Sequence, residues 1–118
     1  MSKIKENSTH QANKNSLGEI CTEVYAINLL SGQWTLAICC HLFEGRLRFG
    51  ELKKRIPQIT ERMLTLQLRK MEEDGLVTRT VYPEVPPRVE YELTESAHEL
   101  KAVFQQLEAW GDRHKARL

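Results

Sequence analysis

The stretch Tyr82-Pro83-Glu84-Val85-Pro86-Pro87-Arg88-Val89-Glu90-Tyr91 decides the fold, because it joins two segments with the same short period. Val77, Arg79 and Val81 alternate with Thr78, Thr80 and Tyr82 before it, and Val89, Tyr91 and Leu93 alternate with Glu90 and Glu92 after it. Period-2 alternation is the mark of half-buried strands. Three prolines and no glycine fill the connection, fixing φ and removing backbone donors, so the loop adds nothing to a sheet and loses little entropy when something docks on it. The pattern predicts a stiff two-stranded projection that carries one arginine, Arg88.

Upstream of this hairpin the period changes. Thr60 is placed to cap a helix over 60–74 in which Leu64, Leu68 and Met71, at i, i+4 and i+7, point inward, and Gly75 supplies the C-terminal stop. A brief basic helix is expected over 50–56, stopped by Pro57, with a short extended piece at 47–49 before it. Trp34, Ile38 and Leu42 at i, i+4 and i+8 predict a helix over 34–43 that Gly45 closes, and Thr22 is expected to cap a short helix ended by Ser31-Gly32. Downstream, Thr94 is expected to cap one long last helix with Leu100, Val103, Phe104, Leu107 and Trp110 on a single stripe. Residues 1–16 are polar and read as a flexible arm, leaving 17–118 as one domain.

The chain has 118 residues, is 41% hydrophobic and has a formal net charge of +1. That charge is unevenly placed: the segment 46–70 carries a net +6, and the rest of the chain is acidic on balance. A basic face on a near-neutral chain suits a polyanion. No stretch is long and apolar enough to span a membrane and the N-terminus lacks an apolar signal core, so a cytoplasmic protein is expected. Three cysteines, two of them adjacent, make a poor disulfide framework.

Helix, short helix, helix and hairpin is the order of a winged helix-turn-helix, with 50–56 and 60–74 as the paired helices and Pro57-Gln58-Ile59 as the turn. The fold expected is mainly α with a small β-hairpin, the N- and C-terminal helices forming a dimer interface. The blander alternative is a small α+β domain with a basic surface.

Five segments carry a family resemblance: Gly32-Gln33-Trp34, Leu47-Arg48-Phe49-Gly50-Glu51-Leu52, Met63-Leu64-Thr65, Glu72-Glu73-Asp74-Gly75-Leu76-Val77 and the hairpin 82–91. They resemble the HxlR-type transcriptional regulators, a bacterial branch of the MarR-like winged helix-turn-helix group. The resemblance runs over about 21–111 and is most specific in Pro-Pro-Arg-Val-Glu-Tyr. It implies a homodimer on operator DNA near promoters, repressing or activating neighbouring genes, with some members sensing oxidants or electrophiles through a cysteine just ahead of the first helix. Cys21 falls at that position. Thr22, where the family often has proline, and Leu66, where a polar residue is frequent, depart from the pattern.

Recognition of double-stranded DNA requires phosphate contacts for register and base-edge contacts for sequence. Thr60, Glu61, Arg62, Thr65, Leu66 and Arg69 lie on the 60–74 helix away from its apolar stripe. Arg62 is the candidate for a bidentate guanine contact, Leu66 for a thymine methyl, and Arg69 and Lys70 for phosphates. Lys53 and Lys54 are expected to touch backbone only. Arg88 is read as a minor-groove or phosphate contact, against a salt bridge to Glu84 or Glu90 within the hairpin.

For dimerisation, Phe104, Leu107 and Trp110 are expected to leave an apolar stripe that Ile20, Val24 and Ile27 of a second copy cover, setting half-sites of an operator palindrome about 10 base pairs apart or a multiple of that. Cys21 ahead of a helix N-terminus is either a reactive thiol or an inert half-buried one, with Glu19 and Glu23 working against reactivity. Cys39 and Cys40 diverge by about 100° on a helix, and core packing is expected for both. His41 beside them lacks partners at metal-ligand spacing. Neither a metal site, another cofactor nor an enzyme is expected, since no nucleophile elbow, phosphate loop or catalytic His/acid pair is present. The rival function is a winged helix used only for protein docking.

Overall fold

A computed structural model describes Glu19 and residues 21–118. The expected arm over 1–16, its boundary with 17–118, and Ile20 lie outside the described residues. The chain divides between Gln33 and Trp34 into two units.

The N-terminal unit contains helix α1 (Thr22–Leu30). Its N-cap is Cys21, not Thr22 as the sequence suggested: Cys21 has extended backbone, φ −129° and ψ 114°, and its carbonyl accepts the first helical bond from the Tyr25 N–H at 3.1 Å. Thr22 already lies inside the helix, so its hydroxyl has no capping role. Ile27 and Tyr25 are exposed on α1.

The second unit runs α2 (Thr35–Leu42), β1 (Leu47–Arg48), α3 (Phe49–Arg55), α4 (Glu61–Glu73), β2 (Val77–Tyr82), β3 (Arg88–Leu93), α5 (Glu95–His98) and α6 (Leu100–Arg117). The strands form an antiparallel sheet in the order β1-β3-β2. Six residue pairs, from Val77↔Leu93 to Tyr82↔Arg88, zip the hairpin together, and Leu47↔Tyr91 adds β1 to its edge. This is a winged helix-turn-helix.

Its core includes Ile38, Leu42, Leu64, Leu68 and Met71 from the predicted apolar periods and adds Leu52 and Ile59, while Trp34 is half-buried. Ile38 and Leu42 of α2, Leu52 of α3, Ile59, and Leu64, Leu68 and Met71 of α4 are essentially inaccessible to solvent. One polar bond crosses this layer: the Gln67 amide donates to the hydroxyl of buried Thr35 at 2.8 Å, tying α4 to α2. Pairing a buried hydroxyl in this way avoids a penalty of about 1–3 kcal/mol.

Helix α4 is delimited by chemistry local to its ends. Thr60 Oγ1 accepts the Met63 N–H at 3.1 Å. At the other end Gly75, φ +77°, allows the Gly75 N–H to reach the Glu72 carbonyl and the Leu76 N–H to reach that of Met71, closing a Schellman motif that turns the chain into β2. Thr94 then locks the returning strand to this turn, donating to the Gly75 carbonyl at 2.7 Å while accepting the Ala97 N–H.

Other boundaries differ from expectation as well. Helix α3 starts at Phe49 because the Glu51 carboxylate accepts the Arg48 N–H at 2.9 Å, advancing the start by one residue. The last helix is in two pieces: Thr94 caps only α5, and at Glu99 the N–H bonds the Ser96 carbonyl three residues back, a tighter turn that separates α5 from α6.

Candidate nucleic-acid interface

Leu64, Leu68 and Met71 anchor α4, so the residues about 180° away must face outward. Thr60, Glu61, Arg62, Leu66, Arg69 and Lys70 are all exposed, with Thr65 half-buried. Leu66 is 49% exposed, and Met63, absent from the sequence-based candidates, is 44% exposed. The Thr65 hydroxyl donates to the Glu61 carbonyl at 2.9 Å, so its proton is already used within the helix.

The structure sorts the cations of 46–70 into two groups. Arg46 is held on the sheet by Glu92 at 3.3 Å, Glu90 at 3.6 Å and the Tyr82 hydroxyl at 3.0 Å, with Glu92 the main cause of an upward shift in its pKa. Arg55 pairs with Glu44 at 3.1 Å and Lys70 with Asp74 at 2.8 Å. Exposed pairs of this kind stabilise by at most about 1 kcal/mol, yet each spends a positive charge internally. Among the described residues, Arg48, Lys53, Lys54, Arg62 and Arg69 have no ion-pair partner.

Arg88 is drawn into the hairpin rather than held out from it. Its guanidinium lies 4.0 Å from the centre of the Tyr82 ring, 3.3 Å from Glu84 and 3.9 Å from Glu90. Cross-strand pairing places Tyr82 and Arg88 directly opposite each other, which makes the stacking possible. The in-hairpin salt bridge weighed from the sequence is thus present, and Arg88 braces the wing.

Between α4 and the hairpin is a notch of about 240 Å³ lined by Thr65, Arg69 and Glu72 of α4 and by Arg79 and Tyr91 of the hairpin. Arg79 approaches Glu72 at 3.7 Å. Burial raises the Tyr91 hydroxyl's pKa and Glu72 adds to the rise, while Arg79 and Arg69 oppose it. Arg79 and Tyr91 are cross-strand partners, a register that alternation alone placed on one face. They were missed as site residues because each looked like an ordinary strand position.

A family model described as HxlR-like helix-turn-helix matches residues 29–118. The chain belongs to the HxlR-like family. Relatives agree: an HTH-type transcriptional regulator, YdeP, of Bacillus subtilis is 43% identical over 100 residues, 85% of this chain and 78% of the relative. Among solved structures, the redox regulator HypR in its oxidised form is 42% identical with a TM-score of 0.72, covering 79% of this chain and 96% of HypR. The reduced transcriptional regulator YodB from B. subtilis is 39% identical with a TM-score of 0.73, covering 79% and 92%. This HxlR-like protein is therefore a helix-turn-helix transcriptional regulator.

The HxlR-like chain has a second exposed surface of opposite chemistry on α6. Val103, Leu107 and Trp110 are about half exposed, and the Trp110 ring stacks on His114 one turn on. Phe104 does not belong with them. It is only 9% exposed and packs edge-on against Phe43, the residue that ends α2, at 5.6 Å, so most of the ring expected at a dimer contact is covered within the chain. Leu36, Cys40, Phe43, Phe104 and Leu107 line a groove of about 540 Å³ between these helices.

The cysteines also separate. Cys39 is fully buried, and burial, with Cys40 nearby, pushes its thiol up to about 12. Cys40 is exposed toward the groove, which corrects the core role expected for it; the 100° step between neighbours that buries one thiol turns the other outward. Burial and Glu108 raise its pKa too. Cys21 is half-buried at the start of α1 and its thiol donates to the Glu23 carboxylate at 3.2 Å. Among the described residues no three metal-ligating side chains cluster, and no helix is long and apolar enough to cross a membrane.

Proposed function

We propose that this regulator acts in the cytoplasm as a homodimer on a palindromic operator, without catalytic activity of its own. One observation carries the reading: among the described residues, Arg62, Arg69, Lys53 and Lys54, on the paired helices α3 and α4, have no carboxylate partner of the kind that neutralises Arg46, Arg55 and Lys70. Arg62 reads a guanine edge, worth about 1–3 kcal/mol of discrimination, and Leu66 with Met63 meets thymine methyls. Thr60 and Glu61 border that contact, and Arg69, Lys53 and Lys54 hold phosphates. Lys70 contributes after yielding Asp74. Arg88 enters a groove only on leaving Glu84 and Glu90, and otherwise keeps the wing in shape for docking.

The exposed Leu107 and Trp110 form the dimer face, and Val24 and Ile27 of α1 are its proposed partners in a second copy. Cys21 is the proposed oxidant or electrophile sensor, a role motivated by two similar proteins: HypR, solved in an oxidised form, and YodB, solved bound to a quinone. A protein-docking winged helix is the weaker reading, because such a surface favours apolar or mixed residues over unpaired cations.

Binding of purified protein to its own upstream DNA and to random DNA, measured across salt concentrations, tests the proposal. A preference for upstream DNA with a log-log slope of about −0.9 per neutralised phosphate is expected. Equal binding to both sequences defeats the operator reading. Repeating the measurement with diamide on wild type and Cys21→Ser isolates the sensor: a response that survives the substitution removes Cys21 from that role.

A further inference from the structure

We infer that the notch between α4 and the hairpin, built by Arg69, Arg79 and Tyr91, is the seat of one backbone phosphate of the bound duplex. The inference rests on the DNA-binding reading above and adds residues to it.

Two elements deliver guanidiniums to one small volume. Arg69 comes from α4 and Arg79 from β2, with Tyr91 opposite Arg79 on β3. Each guanidinium offers five N–H donors in a planar fork suited to phosphate, and the phenol offers one more. The Thr65 hydroxyl gives its proton to the Glu61 carbonyl, so it adds no donor. Against these donors stands one carboxylate, Glu72, 3.7 Å from Arg79. That distance is long for a charge-assisted bond, and both side chains remain nearly half exposed, so Arg79 is held in position without being satisfied. Two cations facing one anion leave the notch a net positive charge and unfilled donors.

Position favours a duplex over a free anion. Arg69 lies seven residues beyond Arg62, about two turns or roughly 10 Å along the same recognition helix. With Arg62 at a base edge, Arg69 and the adjoining strand stand where a groove-inserted helix meets the bordering backbone. A wing and a helix that share one phosphate are also fixed relative to each other on the DNA, which sets register without reading sequence.

The test compares wild type with Arg79→Ala, Arg79→Lys and Glu72→Gln, each checked for unchanged thermal melting. Arg79→Ala is expected to lower the salt slope by about 1 per occupied notch, about 2 for a dimer, on operator and random DNA alike. Arg79→Lys should retain the slope, and Glu72→Gln should tighten binding severalfold at low salt. Duplexes neutralised one phosphate at a time with methylphosphonate should reveal a position that weakens wild type clearly more than Arg79→Ala. A wild-type slope in Arg79→Ala, or no such position, overturns the seat while leaving the operator reading intact. A wild type that binds no duplex in a salt-dependent way defeats that reading and the seat with it. A melting gain from inorganic phosphate over chloride at equal ionic strength, lost in Arg79→Ala while its DNA slope is unchanged, assigns the notch to a free anion and also overturns the proposal.

Discussion

Helices α4 and α6 are both amphipathic, α4 burying a stripe and α6 a single ring, yet their outer faces differ in kind. Helix α4 anchors Leu64, Leu68 and Met71 and shows water Arg62 and Arg69. Helix α6 anchors Phe104 and shows water Leu107 and Trp110. Desolvating α4's outer face against an apolar partner would strand charges, whereas a polyanion pairs them. For α6 the reverse holds: its exposed apolar side chains gain from any dry surface and nothing from phosphate. Two helices of similar outline thus suit two different kinds of partner, and the proposal gives α4 a duplex and α6 a second copy of the chain.

The largest effect should come from breaking the α6 side. The double change Leu107→Asp with Trp110→Asp is expected to weaken self-association by ~100-fold or more, on the scale of two interface anchors worth about 2 kcal/mol each. Sedimentation velocity reads this, with far-UV circular dichroism unchanged because neither side chain is in the core. An undiminished dimer would mean that α6 is not the interface. On the α4 side, Arg62→Ala should lose about 1–3 kcal/mol on the operator with dimer mass unaffected, and Lys53→Ala should weaken operator and random DNA equally. If Arg62→Ala behaves like Lys53→Ala, α4 holds DNA without reading it at this position. The smallest effect sharpens the comparison at α4's end: Thr60→Ala removes the bond to the Met63 N–H and should lower stability by about 1 kcal/mol, a shift of a few degrees in Tm.

Local chemistry made much of this legible. Thr60 and Gly75 bracketed α4, and the alternation of 77–82 and 89–93 around three prolines located the wing, because caps, glycine turns and strand periods act within a few residues of sequence. The site was legible as a set of outward-facing residues, since the apolar stripe of α4 fixes its opposite face. Less visible was which cations were available. Arg46 belonged to the positive excess by position, yet Glu90 and Glu92 lie more than forty residues away and claim it across the sheet. Phe104 looked like one member of a continuous stripe until Phe43 covered it, and Arg79 looked like strand filler until α4 brought Glu72 and Arg69 alongside.

The amino-acid sequence by itself determined the order of elements from the first helix through the hairpin, the ends of α4, the position of the wing and the family. Each rests on interactions between near neighbours or on motifs read directly. Tertiary structure alone decided which charges remain unpaired, which thiol is buried, which part of the α6 stripe stays exposed, and that Arg69 and Arg79 share one notch. Apart from the local Lys70–Asp74 pair, those outcomes depend on contacts between residues farther apart in the chain, which packing of the elements brings within reach.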